Sequence, residues 1–297
     1  MRFAALRTIV VVMPSKAEPP AADSGPKLPA RFGRYILDER IGAGGMAEVY
    51  RARLSSTDGF EKVVCIKRIL PHLAQAPDFA AMFRDEAAIA ARLQHANIVQ
   101  IFDVGEDDGS LFIAMEYVEG LSLAKLLQTV VRRGEILPIP AVLKIGVEVA
   151  KGLRHAHVAT KDNKPLGIVH RDVTPHNILI SKAGEVRIAD FGVARADGRR
   201  THTQTGVIKG KLQYMAPEQA LGKPFDHRLD QFALGIVMHE ALTGRRLFKG
   251  DSEFLILERV ARAEVPPPSA LGKEVPREID AVVMRALDKD PNKRWKD

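Results

Sequence analysis

Hydrophobic and polar positions alternate in short runs along the first part of the chain and follow a helical period along the rest. Between the third and fourth of these strand-like runs, residues 78–93 place apolar side chains about every 3.6 positions, which predicts an amphipathic helix. After Gly120 helical spacing dominates, as in residues 142–153 and 232–242. The five predicted strands are Tyr35–Ile41, Ala47–Leu54, Lys62–Ile69, Ile98–Gly105 and Leu111–Tyr117. A strand-rich part followed by a helix-rich part predicts an α+β fold with two lobes and a cleft between them.

The first 33 residues do not share this pattern. An apolar run, Phe3–Met13, precedes a stretch rich in Pro and Ala at 14–29. The run is too short to cross a bilayer, which needs about 20 residues. It fits a signal peptide, a disordered tail, an interfacial anchor or translated upstream sequence with the true start at Met13, and we favour the last of these. We expect residues 1–33 to form a disordered leader and linker, followed by an N-terminal lobe at 34–117 and a C-terminal lobe at 118–297.

The composition is that of a globular protein, with 46% hydrophobic and 27% charged residues. It excludes wholesale disorder, a collagen-like repeat and a multi-span membrane protein. The single cysteine, Cys65, can form neither an internal disulfide nor a thiolate zinc cluster. The chain has 44 Lys and Arg against 37 Asp and Glu, a net charge of +7, which leaves nucleic-acid and membrane partners open.

A glycine-rich run, Ile41–Tyr50, joins the first two predicted strands. Its glycines let backbone N–H groups approach phosphate oxygens because no Cβ intervenes. A dinucleotide-binding turn would need a helix directly after the glycines, whereas residues 48–52 have strand character. A Walker-type loop would need a Gly-Lys-Ser/Thr sequence, which does not follow. The run therefore predicts a hairpin lid over a polyphosphate.

The apolar third strand contains a lysine, Lys67. A lysine in such a strand either extends its ammonium group to solvent or pairs with an acid. Glu86, in the predicted helix, is a candidate for that acid. Lys67 would then present a fixed positive charge to phosphate oxygens.

Three tripeptides and an asparagine then follow in a fixed order. His170-Arg171-Asp172 precedes Asn177, and Asp190-Phe191-Gly192 precedes Ala216-Pro217-Glu218. Any one of them is common by chance, but this order and spacing is not. From Tyr35 onward the chain resembles the eukaryotic-like (Hanks-type) protein kinases, specifically the bacterial serine/threonine branch. The resemblance implies a two-lobed protein-kinase fold, with a small β-rich lobe containing one helix and a larger helical lobe.

The resemblance assigns a chemical role to each motif. Phosphoryl transfer from ATP to a protein hydroxyl has a loose transition state, so positioning and electrostatics carry most of the rate. Asp172 would accept the hydroxyl proton, and Lys67, oriented by Glu86, would hold the α- and β-phosphates. Asn177 and Asp190 would hold Mg²⁺, or Mn²⁺ in its place. The ATP site would be lined by the lid residues Ile41, Gly42, Ala43, Gly44 and Gly45, by Val49, Cys65 and Leu179 around the adenine, by the gatekeeper Met115, and by the hinge from Glu116 to Val118.

Two further assignments from the resemblance are structural. Glu218 would pair with Arg294 near the end of the chain, and a buried Asp230 would cap the backbone of the catalytic loop. The last helix of the family continues beyond the position of Arg294, so we expect it to be cut short here.

The chain departs from the family pattern in the catalytic loop. Thr174 stands where serine/threonine kinases usually have a lysine, and Lys211 stands where they usually have a threonine. Because these two positions touch in the family fold, we hypothesise that Lys211 replaces the missing charge. The alternative is a weakly active kinase or a pseudokinase that binds nucleotide. Tyrosine specificity is disfavoured, because no tyrosine-kinase pattern replaces the lysine.

Two further departures lie near the expected nucleotide. Ala47, at the third glycine position, is tolerable, and Cys65, in place of an alanine, is interpreted as a small buried hydrophobe.

A polar loop before Ala216 carries three candidate phosphorylation sites, Thr201, Thr203 and Thr205. The last two rank first, because their spacing resembles the phosphorylated pair of bacterial relatives. A phosphate on this loop would pair with Arg171 and order the segment. The alternative is an unmodified polar loop. Autophosphorylation would proceed through a transient homodimer.

These assignments change the meaning of the net charge. Much of the basic excess lies in motifs that handle ATP or a phosphorylated loop, and no nucleic-acid-binding pattern accompanies it. We therefore expect ATP and protein substrates as partners, no nucleic acid, no membrane segment in this chain, and a cytoplasmic location.

Overall fold

The computed structural model describes residues 26–55, 61–75, 77–191, 212–272 and 274–297. A six-stranded antiparallel sheet occupies the first part. Its strands are β1 (Ala30–Phe32), β2 (Tyr35–Ala43), β3 (Ala47–Ser55), β4 (Glu61–Ile69), β5 (Ile101–Asp107) and β6 (Ser110–Glu116). They lie in the order β1-β2-β3-β4-β6-β5. Two helices, α1 (Pro71–Ala74) and α2 (Pro77–Ala90), connect β4 to β5, and α2 packs against β5.

The alternation of side chains along β4 and β6 divides this sheet into two faces. Val64 and Ile66 lie on one face, in an apolar cluster with Phe112 and Ala114. Cys65 lies on the other face, in a second cluster that includes Met115 and the α2 residues Phe83 and Ala87. The period of two thus places Cys65 and Lys67 on the same face.

Helices form most of the second part of the chain. They are α3 (Leu123–Arg132), α4 (Ile139–His157), α5 (Pro217–Ala220), α6 (Arg228–Thr243), α7 (Glu253–Arg262), α8 (Pro268–Leu271) and α9 (Arg277–Ala286), with a 3₁₀ turn at Pro291–Lys293. α4 packs against α6 and buries the apolar face that its sequence predicts. α6 is buried on nearly all sides rather than on one face, because α4, α8 and α9 surround it.

Two small sheets complete this part. β10 (Ile178–Ser181) pairs with both β11 (Val186–Ile188) and β7 (Gly120–Ser122), and β8 (Thr160–Lys161) pairs with β9 (Lys164–Pro165). Gly120 is required where β7 meets β10, since a Cβ there would lie 1.9 Å from the carbonyl oxygen of Ile180. The β10–β11 hairpin thereby lies directly beneath the β-rich lobe, where it presents Leu179 and Ala189 to the cleft.

The α+β fold with two lobes is confirmed, and four of the five predicted strands match β2, β3, β4 and β6 closely. The predicted strand at Ile98–Gly105 begins later, at Ile101. Its first residues pair with β11 instead of β6: Val99 N donates to Ile188 O at 2.9 Å, and Ile188 N donates to Asn97 O at 2.8 Å. Within the described ranges, no helix is long and apolar enough to cross a membrane.

Candidate active site

The glycine-rich run forms the turn between β2 and β3, as the sequence predicts. Gly42 pairs with Val49 and Ala43 with Glu48, and Gly44 N donates to Ala47 O at 2.9 Å to close the turn. A Cβ on Gly45 would meet no atom within 4 Å, so the turn is open at that position. A strand rather than a helix follows the glycines, which excludes a dinucleotide-binding turn.

The residues expected around adenine lie together. Val49, Val118 and Leu179 pack against the apolar cluster that contains Cys65 and Met115, so both lobes contribute to one apolar surface. Cys65 and Met115 face each other across β4 and β6. Burial raises the pKa of the Cys65 thiol to about 12, which keeps it protonated and apolar.

Lys67 forms an ion pair across the cleft. Its Nζ atom lies 2.7 Å from Oδ1 of Asp190, the first residue of the Asp-Phe-Gly motif. Burial alone would raise the pKa of Asp190, but the charge and hydrogen bond of Lys67 hold that pKa below the ordinary value of an aspartate. Glu86, the acid expected to orient Lys67, lies on α2, and that role stays a prediction.

A single buried carboxylate organises the catalytic loop. Asp230, on the first turn of α6, accepts hydrogen bonds from the backbone N atoms of His170 and Arg171, each at 2.8 Å. Its Oδ2 also lies 2.8 Å from Nε2 of His157, at the end of α4. Arg171 has a φ of +64°, a left-handed conformation that costs energy for a residue with a Cβ. The hydrogen bonds to Asp230 hold the loop in that conformation, as the sequence predicts for Asp230.

His170 connects the catalytic loop to the segment that contains Ala189 and Asp190. Asp172 N donates to Nδ1 of His170 at 3.2 Å, so Nε2 carries the proton and donates to Ala189 O at 2.9 Å. Burial lowers the pKa of His170, which favours this neutral form. The ring also packs on Phe191, with centroids 4.5 Å apart. Asp172 and Asp190 are therefore placed relative to each other through one imidazole.

Asn177 lies beside Asp172. Its Nδ2 donates to the backbone oxygen of Asp172 at 2.8 Å and to Oδ2 at 3.2 Å. Its backbone N donates to Thr174 O at 3.0 Å, and its backbone oxygen accepts from Ala189 N at 2.8 Å. The amide oxygen of Asn177 and the carboxylate of Asp190 are oxygen ligands of the kind that Mg²⁺ prefers.

The predicted pair of Glu218 and Arg294 is present and buried. Both guanidinium nitrogens of Arg294 contact the carboxylate, at 2.7 and 2.8 Å, and the guanidinium lies 4.9 Å from the ring centroid of Phe232. Arg294 also donates to the backbone oxygens of Arg228 and Asp288. This pair joins Arg294 to α5 and α6.

Several predicted positions lie outside the described residues. They are Gly192, the three threonines Thr201, Thr203 and Thr205, and Lys211. The proposed exchange between Thr174 and Lys211 therefore stays a hypothesis. Thr174 itself is buried in the catalytic loop.

Sequence reasoning did not identify two residues that organise the site. His157 contacts Asp230. In the sequence, only the position of His157 ahead of the catalytic loop indicates this role. Arg187, on β11, forms an ion pair with the hinge residue Glu116. No local pattern marks that contact.

The protein kinase domain family matches residues 35–296. Tyrosine-protein kinase MasK of Myxococcus xanthus is 43% identical over 265 residues, which cover 89% of this chain and 41% of MasK. Serine/threonine-protein kinase PrkC of Bacillus subtilis is 39% identical over 263 residues, which cover 89% of this chain and 38% of PrkC. The chain thus spans about two fifths of the length of these curated relatives.

Among solved structures, the kinase domain of Mycobacterium tuberculosis PknI aligns with a TM-score of 0.68 and 29% identity, over 92% of this chain and 94% of that domain. The same two lobes are therefore found in a crystallised kinase domain. On the family match and the conserved architecture, the chain belongs to the protein kinase domain family.

Proposed function

We propose that this chain is an ATP- and Mg²⁺-dependent protein kinase that transfers the γ-phosphoryl group to serine or threonine hydroxyls. One observation carries the proposal: Lys67, Asp172, Asn177 and Asp190, from distant parts of the sequence, meet at one end of the cleft. Lys67 contacts Asp190 directly, Asn177 contacts Asp172 directly, and His170 connects the two groups.

The proposed reaction follows from what these side chains offer. Asp172 accepts the proton of the substrate hydroxyl as its oxygen bonds to the γ-phosphorus, and the bond to the β–γ bridging oxygen breaks to release ADP. Lys67 holds the phosphates as a fixed positive charge. Asn177 and Asp190 would hold Mg²⁺, which would offset the negative charge that develops in the transition state.

The residues present fit that cation. Asn177 uses its amide nitrogen on Asp172, which leaves its amide oxygen available as a metal ligand together with the carboxylate of Asp190. Within the described part of the chain, no three His, Cys, Asp or Glu side chains lie close enough to form a metal site of their own. Mg²⁺ usually takes one or two protein ligands and completes its shell with phosphates and water, and Mn²⁺ accepts similar ligands.

We propose that Lys67 holds the α- and β-phosphates when nucleotide is bound and that Glu86 orients it there. The carboxylate of Asp190 has two oxygens, so it can contact both Lys67 and a cation.

The choice of hydroxyl and the regulation of the kinase belong to this proposal as well. PrkC is named a serine/threonine-protein kinase, whereas MasK is named a tyrosine-protein kinase. We favour serine and threonine because the catalytic loop has no tyrosine-kinase pattern. We also propose autophosphorylation at Thr203 and Thr205 between two transiently paired copies, protein substrates, and a cytoplasmic location, where ATP is supplied.

The test is incubation of the chain with Mg²⁺, γ-labelled ATP and a generic protein substrate, followed by phosphoamino-acid analysis. We expect labelled phosphoserine and phosphothreonine, dependent on Mg²⁺ or Mn²⁺, and no label with Asp190→Ala. Label only on tyrosine would overturn the choice of hydroxyl. No transfer by a folded, nucleotide-binding chain would favour the pseudokinase alternative, for which the replacement of the catalytic-loop lysine by Thr174 is the specific observation.

A further inference from the structure

A charged contact joins the hinge to the helical lobe. Nε of Arg187, on β11, lies 3.2 Å from Oε1 of Glu116, the last residue of β6. Their side chains are 20% and 25% exposed, so most of each is shielded from solvent. Glu116 begins the hinge, residues 116–118, which is expected to line the adenine site, and Arg187 has no part in the proposed phosphoryl transfer.

Strand register explains why Arg187 points toward the hinge. Arg187 lies directly opposite Leu179 in the β10–β11 hairpin, and directly opposed residues share a face of an antiparallel pair. Leu179 packs in the apolar cluster of the cleft with Val49 and Cys65. The guanidinium of Arg187 therefore extends on the cleft side of the hairpin.

Both partners of this pair are held by additional contacts. Arg187 donates to Ala96 O at 3.1 Å and lies 3.3 Å from Glu185 Oε2. The second carboxylate oxygen of Glu116 accepts from Gln100 N at 3.4 Å, and Glu116 N donates to Gln100 O at 2.8 Å. One side chain thus ties the hinge and the loop at 96–100 to the floor of the cleft.

We propose that Arg187 is a positioning residue for the nucleotide. Through Glu116 it fixes the hinge backbone, and with it the height of the adenine site above Leu179, without touching ATP. This inference rests on the proposed function, since it concerns the binding of the substrate nucleotide. A hinge that is already held in place loses less conformational freedom when it binds a ligand. Removal of the ion pair between Arg187 and Glu116 should therefore weaken nucleotide binding.

The experiment is calorimetric titration of the whole chain with Mg·ADP and, separately, with adenosine. We expect Arg187→Gln and Glu116→Gln each to raise both dissociation constants about threefold to tenfold, and the double variant to do no more than either single one. The factor should be the same for both ligands, because the hinge contacts adenine and not the phosphates. Arg187→Lys keeps the positive charge but lacks the planar guanidinium group. Its dissociation constants should lie between those of the wild type and Arg187→Gln.

Glu185→Gln is the matched control. It removes the other acid beside Arg187, is 58% exposed, and leaves the contact with the hinge intact. We expect wild-type affinity for both ligands from this variant. In a peptide phosphorylation assay, Arg187→Gln should raise KM for ATP by the same factor and leave KM for the peptide unchanged.

Three results would overturn the inference while leaving the proposed function in place. They are wild-type affinity in folded Arg187→Gln, a loss confined to Mg·ADP, and an equal loss in Glu185→Gln. If Arg187→Gln fails to fold, Glu116→Gln and Arg187→Lys carry the same test. A folded wild-type chain that binds neither ligand would instead contradict the proposed function, and the inference with it.

Discussion

Nζ of Lys67 lies 2.7 Å from Oδ1 of Asp190, so the cation expected at the phosphates is paired with the carboxylate expected at the metal. β4 supplies the first residue, and the segment after β11 supplies the second. This contact links the two lobes across the cleft. The phosphates of a nucleotide and Mg²⁺ would each contact one of these two charged groups when they bind.

Replacing Lys67 with Met should nearly abolish phosphoryl transfer. The change removes a preorganised charge at the phosphates, and loss of one such group typically costs about 100- to 1000-fold in kcat. The initial rate of label transfer at saturating Mg²⁺ and peptide measures the effect. Lys62→Met is the control, because Lys62 lies on the same strand with its ammonium 3.5 Å from the ring centroid of Phe102. Equal rates for the two variants would contradict the role of Lys67.

The Glu218–Arg294 pair should matter for stability rather than chemistry. Glu218→Gln or Arg294→Met leaves one charge buried without its partner, which typically costs about 3–5 kcal/mol. Urea unfolding measures the free energy of unfolding. Arg154→Met, which removes an ion pair whose partners are both 64% exposed, should cost less than about 1 kcal/mol. Similar losses for the buried and the exposed pair would contradict this prediction.

A buried histidine should make the protein sensitive to acid. Burial lowers the pKa of His239, whose Nε2 lies 3.0 Å from Pro266 O and whose buried Nδ1 has no hydrogen-bond partner among the residues that the structure describes. As pH falls below about 6.5, the unfolded chain takes up the proton first, so the free energy of unfolding falls by at most about 1.4 kcal/mol per pH unit from this group.

Urea unfolding of the wild type and His239→Gln between pH 7.5 and 5.5 tests whether the free energy of unfolding falls with pH for this reason. The variant should lose less stability over that range, because it has no proton to gain there. His72→Gln, on the exposed helix α1, is the control. Parallel pH curves for the wild type and His239→Gln would show that protonation of His239 does not contribute.

Cys65 should report occupancy of the adenine site. Its thiol is buried and has a pKa of about 12, so alkylation at pH 8 should be slow in the folded chain. A nucleotide seated beside Val49 and Met115 should slow it further. Mass spectrometry of iodoacetamide-treated protein, with and without Mg·ATP, measures both rates. Equal rates would contradict the placement of Cys65 in the site.

The sequence allowed much of the fold and the site to be predicted, because those signals are local. Alternation identified β2, β3, β4 and β6, and the tripeptides identified Asp172 and Asp190. The pairing of Glu218 with Arg294 could be predicted because the family fold brings these positions together.

The remaining features depend on contacts that no local pattern encodes. The ion pair of Arg187 with Glu116 links residues that are far apart in sequence and individually resemble ordinary surface charges. The ion pair of Lys67 with Asp190 likewise joins residues of the two lobes, and no local pattern predicts it. β1 is too short to show alternation, and its Phe32 is fixed by an edge-to-face contact with Phe112, whose ring centroid lies 5.3 Å away.

The most direct test of the account compares the wild type with Asp172→Asn in one experiment. The rate of phosphoryl transfer from Mg·ATP to a protein substrate and the dissociation constant for Mg·ADP are measured on the same preparations. We expect the variant to lose about 100- to 10,000-fold in transfer rate while it binds Mg·ADP as tightly as the wild type. Transfer by Asp172→Asn at the wild-type rate, or no transfer by a wild-type chain that binds Mg·ADP, would contradict the account.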